Sequence, residues 1–148
     1  MPLRVVAAVI ERPDRRLLIG QRRAGDSSPL KWEFPGGKVE HGESEAEALA
    51  RELREELGVT LLRQLVIAQT QFQGADRELL SITFFAASIL ETELQPGPFE
   101  RVAWVLPREL GSYDFLPANA PLIAELATGC IKPAELLRSV PDTETRGR

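Results

Sequence analysis

Among its 148 residues the sequence has one cysteine, one histidine, one methionine and one tyrosine. A lone Cys130 cannot close an internal disulfide, and with no cluster of Cys and His there is no structural zinc site. That usage fits a reducing compartment. An excess of positive charge is also missing: 18 Lys and Arg face 22 Asp and Glu, for a net charge of -4. Neither a general DNA-binding surface nor a patch for anionic membranes is therefore expected. No hydrophobic run reaches transmembrane length, and the apolar part of MPLRVVAAVIERPD is too short for a signal segment with a cleavage site. Internal repeats, low-complexity blocks and domain-dividing linkers are absent as well. What remains is a cytoplasmic enzyme or binding protein, in which a compact anionic ligand would be held by local donors or metals.

The composition present, 43% hydrophobic and 27% charged, is that of an ordinary globular chain. Its length suits one domain with a proper core. We place that domain at residues 1–130, followed by a tail over 131–148 with a short helix at AELLRSV and a loose PDTETRGR. LRVVAAVI (3–10) and LLIGQR (17–22) read as strands joined by the turn-like ERPDRR, and hence as a hairpin. WEFPGGKVE follows, and Pro35-Gly36-Gly37 is expected to interrupt any strand with a sharp turn. Later strands are expected at LLRQLVIAQTQF, LLSITFFAASI and ERVAWVL, so the sheet should be mixed. A second helix is expected from Asn119 to Thr128, ending at Gly129.

The first helix has the clearest punctuation. Ser44 and Glu47 form an S-x-x-E capping box, the helix runs from Glu45 to Leu57, and Gly58 stands at the C-terminal cap. At 100° per residue Ala46, Leu49, Ala50, Leu53 and Leu57 form a stripe for the core. Glu52, Glu55 and Glu56 share a different face through their i, i+3 and i+4 spacing. Arg51 can steady the flanking acids Glu47 and Glu55 but does not obviously neutralise the trio. Such a trio can be a solvated acidic face, since like charges at this spacing cost only a few tenths of a kcal/mol per pair. It can equally be a site for a hard divalent cation, because Mg²⁺ takes carboxylate oxygens and works with substrate phosphates.

The spacing Gly37, five residues, Glu43, seven residues, Arg51-Glu52-Leu53, one residue, Glu55-Glu56, one residue, Gly58-Val59 resembles the complete Nudix box. The resemblance implies an α/β fold, an α/β/α sandwich with a mixed β-sheet, and hydrolysis of a nucleoside diphosphate linked to another moiety. It also implies that Glu52, Glu55 and Glu56, with the Gly36 carbonyl, bind Mg²⁺ or Mn²⁺. Glu43 and Arg51 would orient the loop and helix, and Gly37 and Gly58 would be structural. A further glutamate from a later loop joins the metals or acts as base in several members, and Glu100 is the candidate here; otherwise it is an exposed loop acid. Metal ions bridging the anhydride oxygens would neutralise developing charge and acidify a bound water. Either Glu52 or Glu100 would take the proton.

Outside the box, QRRAGDSSPLKWEFPGGKVEHGE and DFLPANAPLIAEL (114–126) resemble the MutT branch, which converts 8-oxo-dGTP to the monophosphate and pyrophosphate. That resemblance implies nucleotide contacts from Arg23 and Phe34 and base recognition by Asn119, whose amide offers both donors and an acceptor. Each has a plainer reading: Arg23 a solvated strand-end charge, Phe34 core packing, Asn119 the N-cap of the last helix. His41 reads as a surface residue, and Trp32 and Trp104 as packing at the sheet edge. A cytidine triphosphate pyrophosphohydrolase is the first rival; a dinucleotide or nucleotide-sugar substrate fits less well. A nucleotide sensor without catalysis is the rival of another class, although such a protein would be expected to lack a metal glutamate. The partner is thus a small nucleotide rather than a nucleic-acid polymer or membrane, with the chain a monomer or homodimer.

Overall fold

In a computed structural model, which describes residues 2–74, 76–90 and 94–141, the centre of the fold is a strand apolar on both faces. This is β1 (Leu3–Ile10), whose last five residues are all buried. A strand buried on both faces needs a neighbour on each edge and a layer on each side. Its edges are taken by β4 (Gly36–Lys38), antiparallel, and by β6 (Leu79–Leu90), parallel. The long strand β5 (Thr60–Gln73) adds antiparallel to β6, with irregularities between Leu61 and Arg63 and between Val66 and Ala68. The mixed sheet therefore runs β4-β1-β6-β5. A second, antiparallel sheet has the order β3 (Trp32–Glu33), β2 (Leu17–Gln21), β7 (Arg101–Val105).

The expected hairpin of β1 and β2 does not form. The two strands meet only at the bridge Glu11–Leu17, beside the Arg12–Arg16 turn, and then part into different sheets. Each satisfies its backbone elsewhere, which local sequence cannot announce. The expected interruption at Pro35-Gly36-Gly37 is also corrected in part. The chain leaves the small sheet after Glu33, and Gly36 and Gly37 then serve as a strand of the large one. Glycine is needed there because a Cβ on Gly36 would fall onto the Val6 carbonyl.

Side chains of β1 alternate between two cores. Val6, Ala8 and Ile10 pack with helix α1 (Glu45–Leu57), and Ala7 and Val9 pack toward helix α2 (Ala120–Ala127). The mixed sheet is thus covered on both faces, as the α/β/α reading requires. Helix α1 begins with the complete Ser44–Glu47 capping box and ends at Gly58 in the left-handed region, φ 69°. Its core stripe is Ala48, Leu49, Leu53 and Leu57, all 0% exposed. Ala48 replaces the expected Ala46, which is half-buried. Each buried leucine contributes about 1.5–3 kcal/mol from burial, an upper figure.

A 3-10 turn at Pro117–Asn119 leads into α2. A short α3 (Pro133–Leu137) overlaps the expected AELLRSV segment, starting one residue before it, and packs on β5 and β6. The Ala134 N–H donates to Glu11 Oε1 at 3.0 Å, tying α3 to the β1–β2 turn. Most of the PDTETRGR segment lies outside the described residues. Trp32 is buried edge-on to Tyr113, and Arg12 lies over Trp104, both in the small sheet. Among the described residues no helix is long and apolar enough to cross a membrane.

Candidate active site

The last two turns of α1, the start of β4 and the loop before β7 come together at one end of the molecule. Arg51 is the hub. Its guanidinium donates to both oxygens of Glu43 (2.6 and 3.0 Å), to Glu52 Oε1 (2.9 Å), to Glu55 Oε2 (3.2 Å) and to the Lys38 carbonyl (3.0 Å). Sequence reasoning left the trio without a counter-ion; the structure shows Arg51 serving two of its members. The bond to Glu43 does most to hold Arg51 protonated, and it lowers the Glu43 carboxyl below the ordinary range. Because Glu43 precedes the helix by two residues, the same fork locks the entry loop to the last turns.

Glu56 is held differently. Its Oε1 accepts from the Gly36 N–H at 3.2 Å, across twenty residues of chain. Burial, then the charges of Glu52 and Glu33, push its carboxyl up to about 8. Glu52 is also raised, chiefly by burial, against the pull of Arg51. Among the described residues no basic side chain pairs with Glu56. A half-buried carboxyl among acids whose hydrogen bond comes from a backbone N–H is costly to ionise unless a cation arrives. Gly37 completes the approach, since a Cβ at that position would fall inside the Glu52 carboxylate.

Glu33 and Arg22 were missed from sequence. Glu33 stands on β3 with its carboxyl raised by burial, against the charge and hydrogen bond of Arg22 at 3.3 Å, and it raises Glu56 in turn. The available signal was its place in WEFPGG, two residues before the turn into β4.

The box therefore assembles: Gly36, Gly37, Glu43, Arg51, Glu52, Glu55 and Glu56 lie together, with Gly58 closing the helix. The comparisons agree with that geometry. The NUDIX domain model matches residues 1–126. The chain belongs to the NUDIX family. This Nudix chain is 37% identical over 134 residues to a CTP pyrophosphohydrolase of Escherichia coli, covering 90% of the chain and 98% of that relative. It is 32% identical over 124 residues to an 8-oxo-dGTP diphosphatase of the same organism, covering 84% and 95%. A solved structure from work on MutT of Aliivibrio salmonicida and Vibrio cholerae superposes with a TM-score of 0.71 at 30% identity, covering 87% of this chain and 99% of that one. The protein is a Nudix hydrolase, an enzyme acting on phosphoric anhydrides.

Nudix hydrolases generally need a divalent metal, and the donor set fits one: three carboxylates on one helix face, two of them raised by burial. The described acids do not yet converge into a ready cage. Arg51 and the Gly36 N–H hold oxygens of Glu52, Glu55 and Glu56.

Glu100 is exposed, on a loop seated against α1: the Gln95 N–H donates to the Leu57 carbonyl (3.0 Å), and the Glu100 N–H to the Gln21 carbonyl (2.8 Å). Arg23 is exposed, and its Nη2 donates to the Gly97 carbonyl on that loop at 3.1 Å, so it is not simply solvated. Phe34 is 3% exposed, edge-on to Phe84 and 5.5 Å from Phe115 between ring centres, which makes it a core residue. Asn119 occupies the N-cap position of α2 but in helical geometry, with no capping bond from its side chain, and is 5% exposed. The capping account of this asparagine is thus not what the structure contains. The segment that carries it is tied to β3, since the Trp32 N–H donates to the Asp114 carbonyl and the Leu116 N–H to the Trp32 carbonyl. His41 is exposed, as expected.

Proposed function

We propose that this Nudix hydrolase cleaves a nucleoside triphosphate to the monophosphate and pyrophosphate, with Glu52, Glu55, Glu56 and the Gly36 carbonyl holding Mg²⁺, or Mn²⁺ in its place. The observation that carries the reading is Glu56: a half-buried carboxyl raised to about 8 beside Glu52 and Glu33, with a backbone N–H as its partner. Bound metal would offset the charge of the anhydride oxygens and lower the pKa of a coordinated water. The chain's own residues supply the rest. Arg51 braces Glu52 and Glu43, so that the carboxylates keep their aim. Glu52, or Glu100 as its rival, accepts the proton of the attacking water. Arg23 contacts the nucleotide, Phe34 backs the site from the core rather than touching the ligand, and Asn119 reads the base.

The preferred substrate in this proposal is 8-oxo-dGTP, with dGTP accepted, and the role is to cleanse the nucleotide pool. The uncapping, buried Asn119 supports it, since a buried amide left unpaired penalises the wrong base. A cytidine triphosphate is the second reading, favoured by the 37% identity to a CTP pyrophosphohydrolase across 90% of the chain. Hydrolysis of 8-oxo-dGTP, dGTP, dCTP and 5-substituted dCTP with Mg²⁺ separates the two, and a clear cytidine preference removes the first. Glu52→Gln is expected to keep the fold while lowering turnover roughly 10²- to 10⁴-fold. If wild type and variant were equally slow on every nucleotide, a binding protein without catalysis would be the better description. Asn119→Ala should weaken 8-oxo-dGMP binding far more than it moves the melting temperature.

A further inference from the structure

The loop over residues 94–100 is anchored at several points, and two of these contacts depend on glycines whose roles nothing in the family motif assigns. Gly97 has φ +54°, and a Cβ there would stand far inside contact distance of the Glu56 backbone carbonyl oxygen. Gly20, inside β2, faces the ring of Phe99, and a Cβ there would stand 2.6 Å from the ring carbons. Phe99 is 4% exposed and belongs to the α1 side of the core. Two further anchors are the backbone bonds from Gln95 to Leu57 and from Glu100 to Gln21. From the other side Arg23 grips the Gly97 carbonyl. Glu100 is three steps along the chain from Gly97, a span of at most about 11 Å, so a loop fixed at 97, 99 and 100 leaves Glu100 little freedom except in its own side chain.

We propose that Gly20 and Gly97 are positioning residues for hydrolysis: by admitting Phe99 and the Glu56 carbonyl to contact, they seat the 94–100 loop and set where the Glu100 carboxylate stands relative to α1. The proposal rests on the assignment of Glu100 made above. An alanine at 97 meets backbone, not a side chain that can swing aside, and must also adopt a left-handed φ. The loop then has to move bodily, and misplacement of a reacting group by about 1 Å can cost 10²-fold in rate.

The test uses the full chain with Mg²⁺, with dGTP and dCTP as substrates, and compares Gly97→Ala, Gly20→Ala, Glu100→Gln and the double variant Gly97→Ala/Glu100→Gln. Each glycine variant is expected to lower kcat by roughly 10- to 100-fold with KM little changed. The double variant should be no slower than Glu100→Gln alone, because the glycine acts through that carboxylate. A wild-type kcat in Gly97→Ala overturns the proposal, as does a double variant whose losses multiply. Full activity in Glu100→Gln removes the Glu100 assignment and this proposal with it, whereas full activity in Glu56→Gln would instead sink the hydrolytic centre itself. Should the glycine variants fail to fold by circular dichroism, Phe99→Leu decides. It keeps an apolar side chain in the core but takes the ring off Gly20, and the same selective loss of kcat is expected.

Discussion

Glu56 is where the cost of the site is concentrated. Burial and the neighbouring carboxyls raise its pKa to about 8, from 4.5 in an unperturbed glutamate. Without metal the folded protein therefore keeps a proton there that the unfolded chain gives up. The resulting stability is fully present below about pH 4.5 and is lost as pH climbs toward 8, at a slope of at most about 1.4 kcal/mol per pH unit. Glu52 and Glu33, both raised, add in the same direction. We expect the melting temperature in chelator to fall between pH 5 and 8, and Glu56→Gln to flatten much of that fall; parallel curves for the two proteins would contradict the account. Only part of this was legible from residues alone. The i, i+3, i+4 spacing showed three acids on one helix face. It could not show that Arg51 turns back onto two of them while the third is buried against Gly36, because those partners come from side-chain direction and from the strand exchange at Pro35.

Helix α1 is the element whose sequence said most about its structure. Its cap, its apolar stripe and its terminating glycine each reside within a few neighbouring residues, so local rules sufficed. Ser44 accepts from the Glu47 N–H and Glu47 accepts from the Ser44 N–H. Ser44→Ala should cost about 1 kcal/mol, which for a chain of this size lowers the melting temperature by about 2–4 °C. The site lies two to three turns further on and is held by its own Arg51 fork, so kcat should stay near wild type. A variant that melted normally, or that lost activity in proportion, would show that the N-terminal turn and the carboxylates are linked differently. The β1–β2 pair illustrates the opposite case. Both strands are apolar on both faces, so neither carries the alternation that would reveal its partner, and nearness in sequence suggested a hairpin where two sheets diverge. The 94–100 loop was similarly opaque. Nothing local marks it, because the reason for Gly97 is a carbonyl about forty residues earlier in the chain.

At the scale of the whole molecule, the proposed site is a junction. Gly36 comes from β4 of the mixed sheet, Glu52 and Glu56 from the helix covering one face, and Glu100 from a loop seated on β2 of the small sheet. Gly36, the α1 glutamates and Glu100 are far from one another in an unfolded chain, whose acids are hydrated. A divalent ion bound at the junction should therefore recognise the native state almost alone, and its binding energy becomes folding stability. With free Mg²⁺ at 100 times its dissociation constant the gain is about 2.7 kcal/mol, and the melting temperature should rise by several degrees at pH 8, where the proton on Glu56 no longer competes strongly. The rise should shrink at pH 6, because the ion must then displace that proton, and it should largely disappear in Glu56→Gln at either pH. Calorimetric scans across a magnesium series measure all three conditions. An equal rise in the variant would mean that the ion stabilises the protein from somewhere other than the end of α1, and the carboxylate face would then have to be reinterpreted as a solvated surface braced by Arg51.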